Sequence, residues 1–473
     1  MKEATNKQIS KKAIFAALLI GAIISSLLQT SLTTALPAIM NEFKISAATG
    51  QWITSAYTLS MGIMIPVSPF LLRRFKTKFV SLGVIGAIII GLVLAALSTN
   101  FTMLLIGRII QGLATGVLLS MVQVVILTIY PAEKRGTMMG IYGLAACAAP
   151  VVAPTITGIL IDLISWRAIF VIGFVIVIFD FVLLAVVMKN VLPNEIQSFD
   201  TFSMLLCTIG FCGILIGCGN FGSYQFFSAN VAVPLLVGIV SLILFSIRQL
   251  KMEKAFLELR TFKNDVFTMA VIMSMLTYCV LTASSTLFPI YLQIVHGFSA
   301  TVCGLVMMPG SFISALINPF SGKIYDRFGI RKLAIIGSFF SALSYFFITF
   351  LTESTPIAIV IIVFIIQMIA IGCIMMPLIT WGMSTLGEQH ISDGTAIINM
   401  LRTIAGAIGS ALFVAVMTYV TKMTSGSTEV TANAMGMRIT YMGMFVISVI
   451  QLVVSLLFVG KKEIKYNLEP MSK

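Results

Sequence analysis

The chain has 473 residues, of which 59% are hydrophobic and only 10% charged, and it carries a net charge of +13. Soluble domains hold roughly 25% charged residues, so a soluble enzyme is excluded, as are a disordered chain and a disulfide-built secreted scaffold. The apolar runs are long and unbroken, which excludes a transmembrane barrel with its short alternating segments and leaves an all-α polytopic membrane protein.

A spanning helix needs roughly 20 predominantly apolar residues. In chain order the apolar stretches cover 13–40, 52–72, 79–97, 103–128, 137–161, 168–188, 202–219, 231–245, 267–295, 302–324, 333–350, 357–383, 395–420 and 441–459. They predict 14 transmembrane helices. The first lacks a small-residue cleavage site and reads as a retained span, not a signal peptide. Lys and Arg are kept on the cytoplasmic side. With both termini inside, 24 basic residues fall on inner segments and 4 on outer ones, while Arg108 and Arg402 lie within spans. The basic excess is thus a topology signal and needs no nucleic-acid partner. The 7 cysteines all fall in spans without metal-ligand spacing, and no metal site is expected.

Two loops repeat. Residues 66–78, between spans 2 and 3, align without gaps to 319–331, between spans 10 and 11, so that Arg73 falls on Asp326. Arg135, Gly136 and Thr137 before span 5 likewise match Asp393, Gly394 and Thr395 before span 13. Both pairs are displaced by eight spans, so a six-span repeat has two further spans between its halves. Internal repeats with a site at their interface are a mark of secondary transporters. The expected organisation is a cytoplasmic N-terminus (1–12), a first six-helix bundle (13–190), and two inserted spans with a cytoplasmic connector (191–264). A second six-helix bundle (265–460) and a cytoplasmic tail (461–473) follow.

These motifs resemble the major facilitator superfamily, specifically its fourteen-span branch of drug:proton antiporters, EmrB/QacA-like and similar to lincomycin-efflux members. The loop motif G-x-x-x-D-R-x-G-x-R-K is matched by Gly322, Asp326, Arg327, Gly329, Arg331 and Lys332. Span 4 offers Arg108, Gln111 and Gly112, and span 5 the antiporter-type Pro150, Pro154 and Gly158, with Ala153 where the family prefers glycine. Span 13 adds Gly394, Asn399, Arg402, Gly406 and Gly409. The resemblance implies the major facilitator fold and alternating access, with the kinked span 5 sealing the exit path. Two departures stand out. The first-half loop has Pro69 and Arg73 where the motif has Gly and Asp, so the usual acid–base latch is not expected there. Span 1 has Leu28 where the family often carries an Asp, so no span 1 carboxylate can carry the proton.

Charge inside a bilayer costs at least about 2.5–3.5 kcal/mol per group and invites explanation. Arg108 shares a face with Gln111, Thr115 and Gln123, and reads either as a cavity-lining cation or as an interfacial arginine snorkelling outward. Arg402 shares a face with Asn399 and Gly406. Asp180 is the one carboxylate far from both interfaces; it is either a proton-coupling group, with Arg108, or a structural acid bonded to another helix. Span 1 carries a stripe of Ser25, Ser26, Gln29, Thr30, Thr33 and Thr34, which either lines a cavity or glues helices together. Gln29, Thr33, Tyr57, Gln111, Gln123, Trp381, Asn399 and Arg402 are the substrate-cavity candidates. Gly322, Asp326, Arg327, Arg331, Arg73 and Arg74 form a candidate gate, with Glu133 and Arg135 as partners by family analogy. The 28 methionines suit an adaptable pocket but also follow from membrane composition.

The function expected is a proton-coupled exporter of amphipathic or hydrophobic drugs in the bacterial cell membrane. A dedicated exporter of one physiological solute, such as a lipid, bile acid or metabolite, is the alternative; a non-transporting membrane sensor is a third reading. No cofactor is expected: without a phosphate-binding loop an ion gradient must supply the energy, and sodium is not excluded as the coupling ion. The expected partners are a small amphipathic substrate and the lipid bilayer, and a monomer is expected to suffice.

Overall fold

Hydrocarbon offers no water to backbone N–H and C=O groups, so a spanning chain must satisfy them within itself. The computed structural model describes residues 2–45, 47–50, 52–193, 200–220, 228–252, 255–298, 300–352, 355–424 and 429–459. The tail expected at 461–473 lies outside the described residues, and for Thr33, Pro150 and Pro154 the helix is described but not the side chain. Among the described residues there is no strand. The helices are α1 (Lys2–Phe43), α2 (Ala47–Gly50), α3 (Trp52–Met64), α4 (Ser68–Arg74), α5 (Thr77–Ala96), α6 (Phe101–Ile129), α7 (Ala132–Leu163) and α8 (Ala168–Val187). They continue as α9 (Thr201–Asn220), α10 (Ala229–Lys251), α11 (Asp265–Ile294), α12 (Ala300–Phe328), α13 (Ile330–Thr349), α14 (Ile357–Ser384), α15 (Ile391–Met423) and α16 (Glu429–Leu457).

Every predicted stretch coincides with helix. Twelve single helices are long and apolar enough to cross a membrane, and α3 with α4, bent by 50°, brings the number to 13. The bend falls at Ile65–Val67, where Pro66 has no N–H to continue the ladder. The stretch 137–161 lies inside α7, a helix of 32 residues that includes side chains outside the described set. By length and apolarity the described residues therefore support one span fewer than the 14 expected from sequence.

Lipid tails are as apolar as leucine, so helices associate through close packing and a few polar contacts. Gly112 and Gly116, one turn apart on α6, face α3, where a Cβ would come within 2.4 Å of the Tyr57 carbonyl and 2.2 Å of the Met61 carbonyl. In the first bundle α5 also packs on α6, and α1 on α7 and α8; in the second, α11 packs on α15, α12 on α14, and α13 on α14 and α16. The most extensive helix–helix contact joins α7 to α12, one helix from each bundle. The inserted hairpin is asymmetric: α9 touches both α3 and α15, whereas α10 packs chiefly on α9. Phe211 of α9 fills the space beside Gly62 of α3.

At the end opposite the basic loops, Arg167 pairs with Glu42 at 2.6 Å and the Trp166 indole donates to the same carboxylate at 2.6 Å. Burial works against the charge of Glu42, but the indole and guanidinium outweigh it and hold its carboxyl below the usual range. This ties the end of α1 to the α7–α8 turn.

Gly112→Leu is expected to force α3 and α6 apart and destabilise the protein by about 1–3 kcal/mol. Gly83→Leu, where nothing lies within 4 Å, should leave stability unchanged. Thermal midpoints of the two purified proteins in one detergent compare them directly.

Candidate substrate path and gate

Arg108 lies about two turns into α6 and is fully buried. Its guanidinium stacks over the Tyr57 ring at 4.0 Å, donates to Gln111 Oε1 at 2.8 Å and reaches the Ile53 carbonyl at 3.4 Å. Tyr57 in turn donates to Thr115 at 3.0 Å and to the Ser25 carbonyl at 3.2 Å. The expected polar face therefore exists but closes on α3 and α1, so Arg108, Gln111 and Tyr57 line no open cavity in this conformation. No carboxylate approaches Arg108, and its Nη2 meets no acceptor among the described residues. The cation is held by an aromatic face and amide dipoles instead of a counter-ion.

Gln123, further along α6, reaches across to the other bundle. Asn399 of α15 donates to its Oε1 at 3.0 Å. Three residues on, Arg402 stacks over Tyr278 of α11 at 5.2 Å and lies within electrostatic reach of Tyr142 and Cys147 of α7. Asn318 of α12 donates to Cys147 at 3.7 Å. Nε and Nη1 of Arg402, and Oδ1 of Asn399, have no partner among the described residues. This cluster joins helices from both bundles and holds a cation, amides and phenol rings with unused hydrogen-bonding capacity.

The remaining candidates are scattered. Gln29 is half-buried on α1. Trp381 packs against a separate apolar cluster with Met273, Ile330 and Leu378. Asp180 is fully buried, its oxygens meeting no donor among the described residues. It points at Gly21 of α1, where a Cβ would come within 3.1 Å of Oδ2, and Ile85 and Leu118 crowd the same spot. It is thus neither bonded to another helix nor turned toward the seam between bundles. Among the described residues no group of three or more His, Cys, Asp or Glu side chains could hold a metal.

At the basic end the two bundles are latched twice. Asp326 accepts from the backbone N–H groups of Gly136 and Thr137, each at 2.7 Å, and from the Thr137 hydroxyl. These donors lie in the first turns of α7, whose N-terminal dipole favours an anion. Gly322 makes the approach possible, since a Cβ there would come within 2.1 Å of the Gly136 carbonyl. Arg135 does not join the latch; it donates to the Tyr130 carbonyl at 3.2 Å. Arg327, Arg331 and Arg74 are exposed and make no ion pair among the described residues.

The second latch corrects the sequence expectation. Arg73, which replaces the motif's Asp, pairs with Asp393 at 2.8 Å and also donates to the Phe256 carbonyl of the connector at 3.0 Å. Asp393 is wholly buried and the Arg73 side chain is 16% exposed, so the pair is largely shielded from water. Asp326 meets the segment that begins with Arg135; Arg73, at the equivalent position, meets the segment that begins with Asp393. The contact between equivalent segments is retained, but only the Arg73–Asp393 copy is an ion pair. Both substitutions are visible in the aligned repeats, but the alignment does not say that the two loops meet. Tyr278 and Tyr142 carry no such signal, because isolated tyrosines in a span do not announce a neighbour.

The second bundle has a polar core of its own. Gln367 of α14 donates to Ser284 of α11 at 2.7 Å and to Tyr345 of α13 at 3.0 Å. Tyr345 bonds the Val280 carbonyl at 3.1 Å. The first and fourth helices of each bundle therefore contribute buried polar groups, and the fourth helix of the first bundle also carries a buried cation, Arg108.

Residues 18–410 match the Major Facilitator Superfamily. The chain is 37% identical over 411 residues to the uncharacterized MFS-type transporter YcnB of Bacillus subtilis, covering 87% of each. It is 38% identical over 414 residues to the lincomycin resistance protein LmrB of the same organism, covering 87% of this chain and 86% of that one. Its fold is similar to the crystal structure of the human organic anion transporter MFSD10, with a TM-score of 0.68 at 12% identity over 93% of this chain and 99% of that one. This chain belongs to the Major Facilitator Superfamily, whose members are membrane transporters and not enzymes.

Proposed function

We propose that the protein is a secondary active exporter that moves amphipathic, largely apolar compounds out of a bacterial cell in exchange for protons. The working parts are two six-helix bundles, 13–190 and 265–460, that alternate access about the cluster around Arg402, with both termini cytoplasmic. The observation that carries this reading is the pair of latches between the bundles at the basic end. Breaking and remaking a few such contacts biases two arrangements of rigid bodies, which is what alternating access requires. The concentration of basic residues at that end supports its being cytoplasmic, so the latched conformation is closed toward the cytoplasm. The lincomycin resistance proteins among the relatives support a drug-like substrate. Arg402 makes no ion pair among the described residues, which favours neutral or anionic amphipaths over polycations.

For coupling, Asp180 is the proposed proton carrier. A carboxyl with no partner among the described residues can exchange its proton with whichever side gains access when α1 and α8 shift. Its place away from the seam means that coupling would act through helix packing and not by direct contact with substrate.

Removing one partner of a buried ion pair strands a charge and costs about 3–5 kcal/mol. Arg73→Asp and Asp393→Arg are each expected to impair efflux severely, and the doubly exchanged protein to recover, with a coupling energy of about 0.5–3 kcal/mol. Drug resistance of a susceptible host at matched expression measures it; strictly additive losses would remove the pair from the gate.

In proteoliposomes an imposed pH gradient, acid outside, is expected to drive flux of lincomycin or an amphipathic dye, and Asp180→Asn to abolish the coupling while substrate still binds. Flux driven by sodium alone would overturn proton antiport, whereas undiminished proton-coupled flux in Asp180→Asn would move the carrier elsewhere.

A further inference from the structure

The inserted hairpin carries a feature that transport leaves unexplained. A groove of about 380 Å³ opens between its helices at the basic end, lined by Phe202 and Leu206 of α9 and by Leu244, Ile247, Arg248 and Lys251 of α10. Phe202, Leu244 and Ile247 are 57%, 50% and 47% exposed, and α10 packs chiefly on α9, so the groove faces the acyl chains of the bilayer.

Its polar end is built, not incidental. Arg248 lies 5.2 Å over the Phe202 ring and pairs with Asp200 at 3.2 Å. Burial opposes the charge of Asp200, but bonds from Ser203 and Arg248 outweigh it and hold its carboxyl below the usual range. Asp200 thus neutralises one cation. The end of α10 is capped separately, by Arg260 donating to the Leu250 and Met252 carbonyls at 3.2 and 2.8 Å. Lys251 is exposed, takes no part in that cap, and makes no ion pair among the described residues. The apolar trough thus ends, at the basic end of the hairpin, in a lysine that makes no ion pair among the described residues.

We propose that this groove is a binding site for an anionic phospholipid, its acyl chain lying along Leu206 and Leu244 and its phosphate against Lys251 and the outer edge of Arg248. Basic pockets between spans on the cytoplasmic side recognise such headgroups through the same charge complementarity. The site would fasten the inserted hairpin, and with it α9 between α3 and α15, to the inner leaflet. The inference is independent of the transported substrate, since it concerns binding alone.

The test uses the full chain purified in detergent and titrated with fluorescent phosphatidylglycerol or with phosphatidylcholine of the same chains. Phosphatidylglycerol is expected to bind about fivefold more tightly, the worth of one interfacial cation. Lys251→Ala should abolish that preference. Leu244→Trp, which fills the trough but leaves both cations, should weaken phosphatidylglycerol binding, and Lys332→Ala, at another exposed lysine of the same end, should change neither. The proposal is overturned if both lipids bind equally to the wild type, if the preference survives Lys251→Ala, or if Leu244→Trp binds as the wild type does. Displacement by glycerol 3-phosphate as effective as by the lipid would reduce the site to a free-anion site and overturn it as well.

Discussion

A chain that lives in hydrocarbon must close every backbone hydrogen bond on itself, and the rest of this structure follows from that constraint. It fixes helix as the only spanning conformation, and it takes away the hydrophobic drive that would otherwise bring helices together. What remains to choose neighbours is steric fit and the rare polar contact. Gly112 and Gly116 let α3 settle against α6 backbone to backbone, and Gly322 does the same for α12 against α7. The second crossing joins the bundles, so the glycine of the loop motif serves the packing between them.

The latches show how a duplicated architecture keeps a contact while changing its chemistry. Asp326 uses N–H groups near the start of α7, with no ion pair among the described residues; Arg73 with Asp393 is a direct, buried salt bridge. The two therefore respond differently to opening. N–H donors at a helix terminus are readily satisfied by water, while a buried pair is stable only when both members leave the interior together.

Charge elsewhere in the membrane is handled in three ways. Arg108 is sealed against Tyr57 and Gln111, Arg402 is left with unused donors at the seam, and Asp180 is surrounded by apolar atoms and a glycine. Only the second resembles a binding group in waiting. The first is a structural cation, to be exposed only if α3 and α6 separate. The inserted hairpin adds a further layer outside the repeat: α9 leans on both bundles, and α10 meets the lipid.

Composition and the pattern of apolar runs were enough to indicate an all-helical membrane protein, because in a bilayer each span declares itself by length and apolarity; the repeat came from the aligned loops, and the motifs carried the resemblance to its superfamily. The motif residues Gly322 and Asp326 were legible for the same local reason, and Arg73 was legible as a departure. Its partner was not, since pairing depends on which loops the folded bundles bring together across 320 residues of chain. Nor could the sequence tell that Arg108 and Tyr57 face each other inside one bundle while Gln123, on the same helix, faces the other bundle. A polar stripe gives the side of a helix, but only the crossing of α6 with α3 and α15 decides what stands opposite each turn.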